Sequence, residues 1–174
     1  EIQKVRAEAM VATLNRIWDR ERVGLVVADK DWEILEVKDL RLPDDFNFDC
    51  SMQGALTQIG HKKGRINVYI VPKVENDFAR GRSCAFSGDF VALGKEAGDT
   101  LLAHETGHVF TLQHTDGLAR FDDRGVMHSA SDVRRYFTEG QTFRAQFAKQ
   151  SAVNDPAVLA ARPPGLPLRD CFTF

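Results

Sequence analysis

Residues 103–116 read AHETGHVFTLQHTD and contain three of the five histidines in the chain. His104 and His108 form the ends of an H-E-x-x-H pattern, and His114 follows six residues later. On an α-helix, residues four apart share one face, with their Cβ atoms about 6 Å apart. That separation allows two imidazole nitrogens to bind one tetrahedral Zn²⁺, each at about 2.1 Å. The stretch therefore predicts a helix with a zinc-binding face.

Glu105 has a different predicted role, because it flanks the metal rather than ligating it. Zinc lowers the pKa of a bound water to about 7, and a carboxylate beside that water can accept its proton. The pattern therefore predicts His104 and His108 as metal ligands and Glu105 as the catalytic residue.

A catalytic zinc site also needs a third protein ligand and one open position. His114 is the nearest candidate, but on a continuous helix it would lie about 9 Å along the axis from His108. We therefore expect the helix to end near Thr111 and the chain to bend back. Gly107 is expected to remove bulk beside the metal, at some cost in helix stability. The alternative third ligands are acids farther along the chain: Asp116, Asp122, Asp123 and Glu139.

This pattern resembles the metzincin clan of zinc endopeptidases, whose signature is H-E-x-x-H-x-x-G-x-x-H followed by a tight turn with a methionine beneath the zinc. Met127, in RGVMHS, follows His114 by thirteen residues, a spacing that suits such a Met-turn. The segment FTEGQTFRAQF (137–147) is similar to the C-terminal helix of matrixin-type members. The resemblance covers about residues 65–147, and its specific motif lies within 104–128.

The resemblance implies a zinc endopeptidase that hydrolyses peptide bonds in a protein or peptide substrate. It implies that Zn²⁺ is held by three histidines and that Met127 forms an apolar floor under the metal. A substrate would lie antiparallel to the 84–93 strand, and residues 126–136 would wall the pocket for the side chain after the cut bond. A secreted or extracytoplasmic monomer is expected. The metal ligands implied are His104, His108 and His114.

Thr111 departs from the resemblance, because it stands at the position of the glycine in the signature. That glycine usually has a positive φ, which costs a β-branched residue about 1–3 kcal/mol. We expect the turn to be built differently here, with His114 retained as a ligand because the spacing to Met127 is kept. Ser129 stands where some clan members carry an additional tyrosine ligand, so that ligand is absent.

The composition of the chain limits the classes of protein to which it can belong. The chain has 174 residues, 43% of them hydrophobic, and a net charge of −2, as expected of one globular domain. No apolar run approaches the roughly 20 residues that cross a bilayer, and the first ten residues lack a signal-peptide core. The basic run 61–65 is short, so no nucleic-acid partner is expected. A catalytically silent zinc domain that binds a peptide or protein partner, or a zinc hydrolase of a non-peptide amide, remains an alternative function.

The three cysteines match no zinc-binding pair in their spacing. One disulfide with one free thiol fits the count, and so do three reduced thiols. The tail cysteine, Cys171, is expected to be joined to Cys50 or Cys84, or to be free. The sequence also leaves the specificity, the latency mechanism and any calcium sites open.

Hydrophobic periodicity and turn residues predict the remaining elements. An N-terminal helix over 2–21 would bury Met10, Leu14, Ile17 and Trp18. Strands are expected at 23–29, 32–40, 65–72 and 84–94, the last as a strand pair or irregular edge strand broken at Gly88. The other expected elements are a loop at 42–49, a short helix at 50–60, a helix at 99–111 with Asp99 as N-cap, a loop at 121–132 turning at Gly125, and a helix at 139–150 capped by Thr138.

The predicted fold class is α+β. A small twisted mixed sheet would carry the N-terminal helix and the active-site helix, followed by the Met-turn and the C-terminal helix. We expect one catalytic domain over residues 1–174, of which 151–174 form an extended Pro-rich tail.

Overall fold

A computed structural model describes residues 2–20, 27, 32–35, 42–75, 80–84, 88–116, 124–130, 134–151, 154 and 156. These residues form four α-helices and five short strands, which confirms the α+β class. The helices are α1 (Ile2–Arg20), α2 (Gln53–Leu56), α3 (Leu101–Val109) and α4 (Glu139–Phe147), with a 3₁₀ turn at Cys50–Met52. The strands are β1 (Asn47–Phe48), β2 (Asn67–Val71), β3 (Lys73–Val74), β4 (Gly81–Arg82) and β5 (Phe90–Gly94).

The larger sheet has the strand order β2-β5-β4 and is mixed. β2 runs parallel to β5 over its whole length, from Asn67 opposite Phe90 to Val71 opposite Gly94. β4 runs antiparallel to β5 on the other side, with Gly81 opposite Leu93. β1 and β3 form a separate parallel pair. β5 is therefore paired on both sides, whereas β4 has a described partner on one side only.

β5 lies at the centre of the core, and each of its residues is buried. Because side chains alternate along a strand, Val91 and Leu93 pack in the cluster that contains α1 and α3. Phe90 and Ala92 point the other way, into a second cluster with Phe48. The sheet thus separates two apolar layers, and α3 lies on one of them.

The N-terminal helix is confirmed, and its predicted face is buried at Met10, Leu14, Ile17 and Trp18. The Trp18 ring packs edge-on against Phe110, just after α3, at 4.9 Å between centroids. It also contacts Phe137, just before α4, at 4.5 Å. α1 therefore packs against the chain at the end of α3 and at the start of α4.

The prediction of a short helix after residue 50 is confirmed in its first part, and the strand at 65–72 is confirmed as β2. The predicted 42–49 loop contains the two-residue strand β1, because Phe48 pairs with Val74. Residues 32–35 do not form a strand. The 23–29 strand lies outside the described residues apart from Val27, as does most of the 151–174 tail.

Of the two alternatives for 84–94, a strand pair or an irregular edge strand, the edge strand is wrong. The regular part of this stretch, β5, is the central strand of the larger sheet, because β2 and β4 pair with its two sides. No local pattern could indicate this, because β4 is only two residues long. A peptide substrate therefore cannot pair with Phe90–Gly94, whereas β4 has a strand partner on one side only among the described residues.

Cys50 and Cys84 form a disulfide with their Cα atoms 5.4 Å apart. The bond joins the 3₁₀ turn before α2 to the chain just after β4. The alternative of three reduced thiols is therefore wrong, as is pairing of Cys171 with either residue; Cys171 itself lies outside the described residues. Among the described helices, none has the length and apolarity that crossing a membrane requires.

Candidate metal centre

α3 carries the H-E-x-x-H residues, and all nine of its residues are buried. The predicted N-cap, Asp99, is wrong by one residue: the cap is Thr100, whose side chain makes no capping hydrogen bond. The Leu101 amide instead donates to the Gly98 carbonyl at 3.0 Å. The helix ends at Val109, two residues before the predicted end, and the chain then turns back.

The turn brings the three histidines together. His114 Nε2 lies 3.0 Å from His108 Nε2 and 3.2 Å from His104 Nε2. The possible ligand atoms of all three lie within 4.8 Å of one another, so the group can hold one metal ion. His104 and His108 are buried, whereas His114 is exposed.

The two helical histidines are fixed in one tautomer. His104 Nδ1 lies 2.6 Å from the Val126 carbonyl and His108 Nδ1 lies 2.8 Å from the Leu112 carbonyl. A carbonyl only accepts, so each Nδ1 carries the donated hydrogen and each Nε2 keeps its lone pair for the cluster. Burial lowers the pKa of His104 to about 3 and of His108 to about 4, so both are neutral at pH 7, as metal ligands must be.

Thr111 makes the turn in the conformation that a glycine would adopt, with φ +70°. The Thr111 amide donates to the His108 carbonyl and the Leu112 amide to the Gly107 carbonyl, both at 2.9 Å. These are the two hydrogen bonds of a Schellman motif. The expectation of a differently built turn is therefore wrong, because Thr111 itself adopts the left-handed conformation and the turn makes both hydrogen bonds of the motif.

This geometry predicts that Thr111→Gly stabilises the protein by about 1 kcal/mol, since glycine adopts a positive φ without the steric cost. The Thr111 hydroxyl is buried and has no hydrogen-bond partner among the described residues, so its removal also relieves a desolvation cost. Urea unfolding of the metal-free protein measures the change. Thr115→Gly is the matched control on the same loop: Thr115 also has a buried hydroxyl without a described partner but no positive φ, so this change should destabilise. A loss of stability in both variants would contradict the assignment of strain to Thr111.

Glu105 is buried, with 4% of its surface exposed. Burial raises the pKa of its carboxyl to about 7, although the carboxylate accepts a hydrogen bond from the Ser83 amide. Gly81 in β4 leaves room for it, since a Cβ there would lie 3.0 Å from Glu105 Oε1. A carboxyl with this pKa can both accept and return a proton near neutral pH.

Met127 is fully buried and packs against α3 at Gly107. A Cβ on Gly107 would lie 2.3 Å from Met127 Sδ, so the missing side chain makes room for the methionine rather than for the metal. The Met127 carbonyl also accepts from the Thr115 amide at 3.1 Å. Residues 126 and 127 therefore contact both His104 and the loop that carries His114.

The alternative third ligands do not join this cluster where the structure describes them. Asp116 instead accepts a hydrogen bond from the Ser129 amide at 2.8 Å. Glu139 is exposed in the first turn of α4. Asp122 and Asp123 lie outside the described residues. Of the described acids and histidines, His104, His108 and His114 form the single group that can hold a metal.

Sequence reasoning missed three contributors to the site. The Ser83 amide contacts Glu105, and the Arg144 Nε–H donates to the Thr111 carbonyl at 2.8 Å. Arg134 is buried, donates to the Ser129 carbonyl at 3.2 Å, and lowers the pKa of His104 further by its charge. The pairs Ser83–Glu105, Arg144–Thr111 and Arg134–His104 are distant in sequence, so no local pattern indicates them.

Comparisons of the chain with protein-family models, with curated proteins and with solved structures found no match. The residues and geometry of the site are therefore the basis for inferring what the protein does.

Proposed function

We propose that this protein is a zinc-dependent endopeptidase of the metzincin type. The observation that carries the proposal is the convergence of three imidazoles next in the chain to the buried carboxyl of Glu105. Three neutral histidines with one remaining position form a donor set typical of catalytic zinc, and the fixed Nδ1–H bonds orient two of them.

His104, His108 and His114 would hold the zinc ion. When bound, zinc supplies Lewis acidity that acidifies a water molecule and polarises a carbonyl group. Glu105 would accept one proton of the attacking water as the water oxygen bonds to the carbonyl carbon of the substrate. It would then deliver that proton to the amine nitrogen as the C–N bond breaks, which leaves a carboxyl group and an amine. The Ser83 amide holds the Glu105 carboxylate in position for both transfers.

The side of β4 that has no strand partner among the described residues is the surface on which an extended substrate would lie. Backbone groups at a strand edge bind extended peptides through main-chain hydrogen bonds. β4 contacts Glu105 through Gly81 and is followed by Ser83, so a peptide bound there passes beside the proton acceptor. This assignment replaces the 84–93 strand as the substrate-binding element.

The Cys50–Cys84 disulfide supports a location in an oxidising compartment, since such bonds persist outside reducing cytosol. We propose a secreted or extracytoplasmic protein on this basis. The bond also anchors the chain just after β4, next to the proposed substrate edge.

The proposal predicts that cleavage depends on one zinc ion per chain. An unfolded protein substrate should be cut by the zinc-loaded protein, should stay intact after zinc is removed with a chelator, and should be cut again when one equivalent of zinc is returned. Mass spectrometry of the products measures cleavage, and metal analysis of the protein measures its zinc content. A fully zinc-loaded protein that cuts neither unfolded protein nor a mixed peptide library would contradict peptidase activity and favour a silent binding domain or a non-peptide amidase.

A further inference from the structure

The third histidine is the ligand whose position depends most on the backbone. His104 and His108 lie on α3 and are buried, and their rings are fixed by carbonyl groups. His114 is exposed and lies beyond the turn at Thr111, so the conformation of that turn decides where its imidazole points.

Thr111 is a poor residue for this turn. At φ +70° a β-branched side chain crowds its own backbone, and the buried hydroxyl has no described hydrogen-bond partner. A strained backbone conformation of this kind is kept in a folded protein when several surrounding contacts hold it in place. Contacts that fix the backbone at Thr111 therefore also fix the position of the His114 imidazole.

Arg144 makes a direct contact with the strained residue. Its Nε–H donates to the Thr111 carbonyl at 2.8 Å across 33 residues of sequence. The bond is charge-assisted, and such bonds are stronger than those between neutral groups. Because the carbonyl belongs to the peptide unit that follows the positive φ, the guanidinium fixes the direction in which the chain leaves the turn.

α4, the helix that carries Arg144, is itself held in place by a cap and by packing against the core. Thr138 and Gln141 form a reciprocal capping box at its start. Ala145, next to Arg144, is fully buried in the same cluster as α3, and the Ser151 hydroxyl donates to the Ala145 carbonyl. The helix therefore brings Arg144 to the metal-binding loop, although the residue itself is exposed.

We propose that Arg144 is a positioning residue for the metal centre: its bond to the Thr111 carbonyl holds a turn that threonine disfavours and so keeps His114 facing His104 and His108. The inference depends on the metal site of the proposed function but not on peptidase activity. An ordinary helix-capping role for Arg144 is the competing explanation. Capping alone stabilises the metal-free and zinc-loaded proteins equally and leaves zinc affinity unchanged.

The test compares zinc dissociation constants, measured by competition with a chromophoric chelator. Arg144→Met should weaken zinc binding about tenfold, the value expected for loss of one charge-assisted hydrogen bond. Arg144→Lys should recover part of the affinity, because an ammonium can still donate to the carbonyl. Glycine adopts the turn conformation without strain, so adding Arg144→Met to Thr111→Gly should change the zinc dissociation constant less than threefold. Lys149→Met, at an exposed cation just beyond α4, is the control for loss of charge and should bind zinc like the wild type.

A second measurement does not require zinc. In the metal-free protein, amide hydrogen exchange at Leu112 and Thr115 should be about tenfold faster in Arg144→Met and should slow again when Thr111→Gly is added. Unchanged zinc affinity and unchanged exchange in Arg144→Met would overturn the proposal, as would equal effects of Arg144→Met in the wild-type and Thr111→Gly backgrounds. If the wild type takes up no zinc, the proposed metal centre fails, and the exchange data still decide whether Arg144 holds the loop.

Discussion

Glu105→Gln should reduce kcat/KM of the zinc-loaded protein for an unfolded substrate about 1000-fold, the size of a typical general acid–base contribution. Glutamine has nearly the same shape, and its oxygen can still accept the hydrogen bond from the Ser83 amide. The amide cannot accept a proton from the attacking water, however. Zinc affinity should stay within about threefold of the wild type, because Glu105 is not in the imidazole cluster.

Two control variants distinguish a loss of catalysis from a loss of folded protein. Glu96→Gln, at an exposed carboxyl, should leave cleavage and zinc binding unchanged. His108→Ala should lose zinc and cleavage together. If Glu105→Gln kept more than a tenth of the wild-type kcat/KM, the proton acceptor would have to be another group and the proposed mechanism would be wrong.

The pKa of Glu105 gives the same variant a second readout. Since burial raises this pKa from 4.5 to about 7, the folded metal-free protein binds the proton more tightly than the unfolded chain does. The resulting stabilisation is complete below pH 4.5 and is lost as the pH rises through 7. Relative to the wild type, Glu105→Gln should therefore gain stability between pH 5 and pH 8, measured by urea unfolding. A constant difference across that range would contradict the buried position of the carboxyl.

Gly107→Ala should destabilise the protein by about 3 kcal/mol, at the upper end of the range for overpacked cores. The new Cβ would lie 2.3 Å from Met127 Sδ, 3.1 Å from Met127 Cε and 3.6 Å from Leu112 Cδ1. Met127 is fully buried and Leu112 is 1% exposed, so neither side chain can move away cheaply. The cost should exceed the roughly 1 kcal/mol that alanine gains over glycine inside a helix.

Chemical unfolding of the metal-free proteins measures this effect. Gly140→Ala is the matched control, because a Cβ there has no neighbour within 4 Å and the residue also lies in a helix. It should be neutral or slightly stabilising. Adding Met127→Ala to Gly107→Ala should recover part of the lost stability. Wild-type stability in Gly107→Ala would show that Met127 does not pack under α3 as described.

The parts of the fold and site that depend on local periodicity could be predicted from the sequence. The buried face of α1, the strand β2 and the capping of α4 by Thr138 follow from side-chain spacing and turn chemistry. The same holds for His104 and His108, whose four-residue spacing becomes a shared face once the segment is helical.

The parts that depend on tertiary contacts could not be predicted. Strand order is not encoded in any one strand, so the central position of β5 was missed. Thr111 shows the same limit for the backbone: its own preference opposes φ +70°, and contacts such as the one from Arg144 override that preference. The start of α3 at Leu101 rather than at residue 99 is an ordinary boundary error, because helix ends depend on local hydrogen bonds.

X-ray absorption at the zinc edge of the zinc-loaded wild type tests the central claim most directly. We expect one zinc per chain, with three imidazole nitrogens at about 2.0 Å and one further oxygen ligand. Two imidazoles with a carboxylate or a thiolate in place of the third, or a folded protein that takes up no zinc, would contradict it.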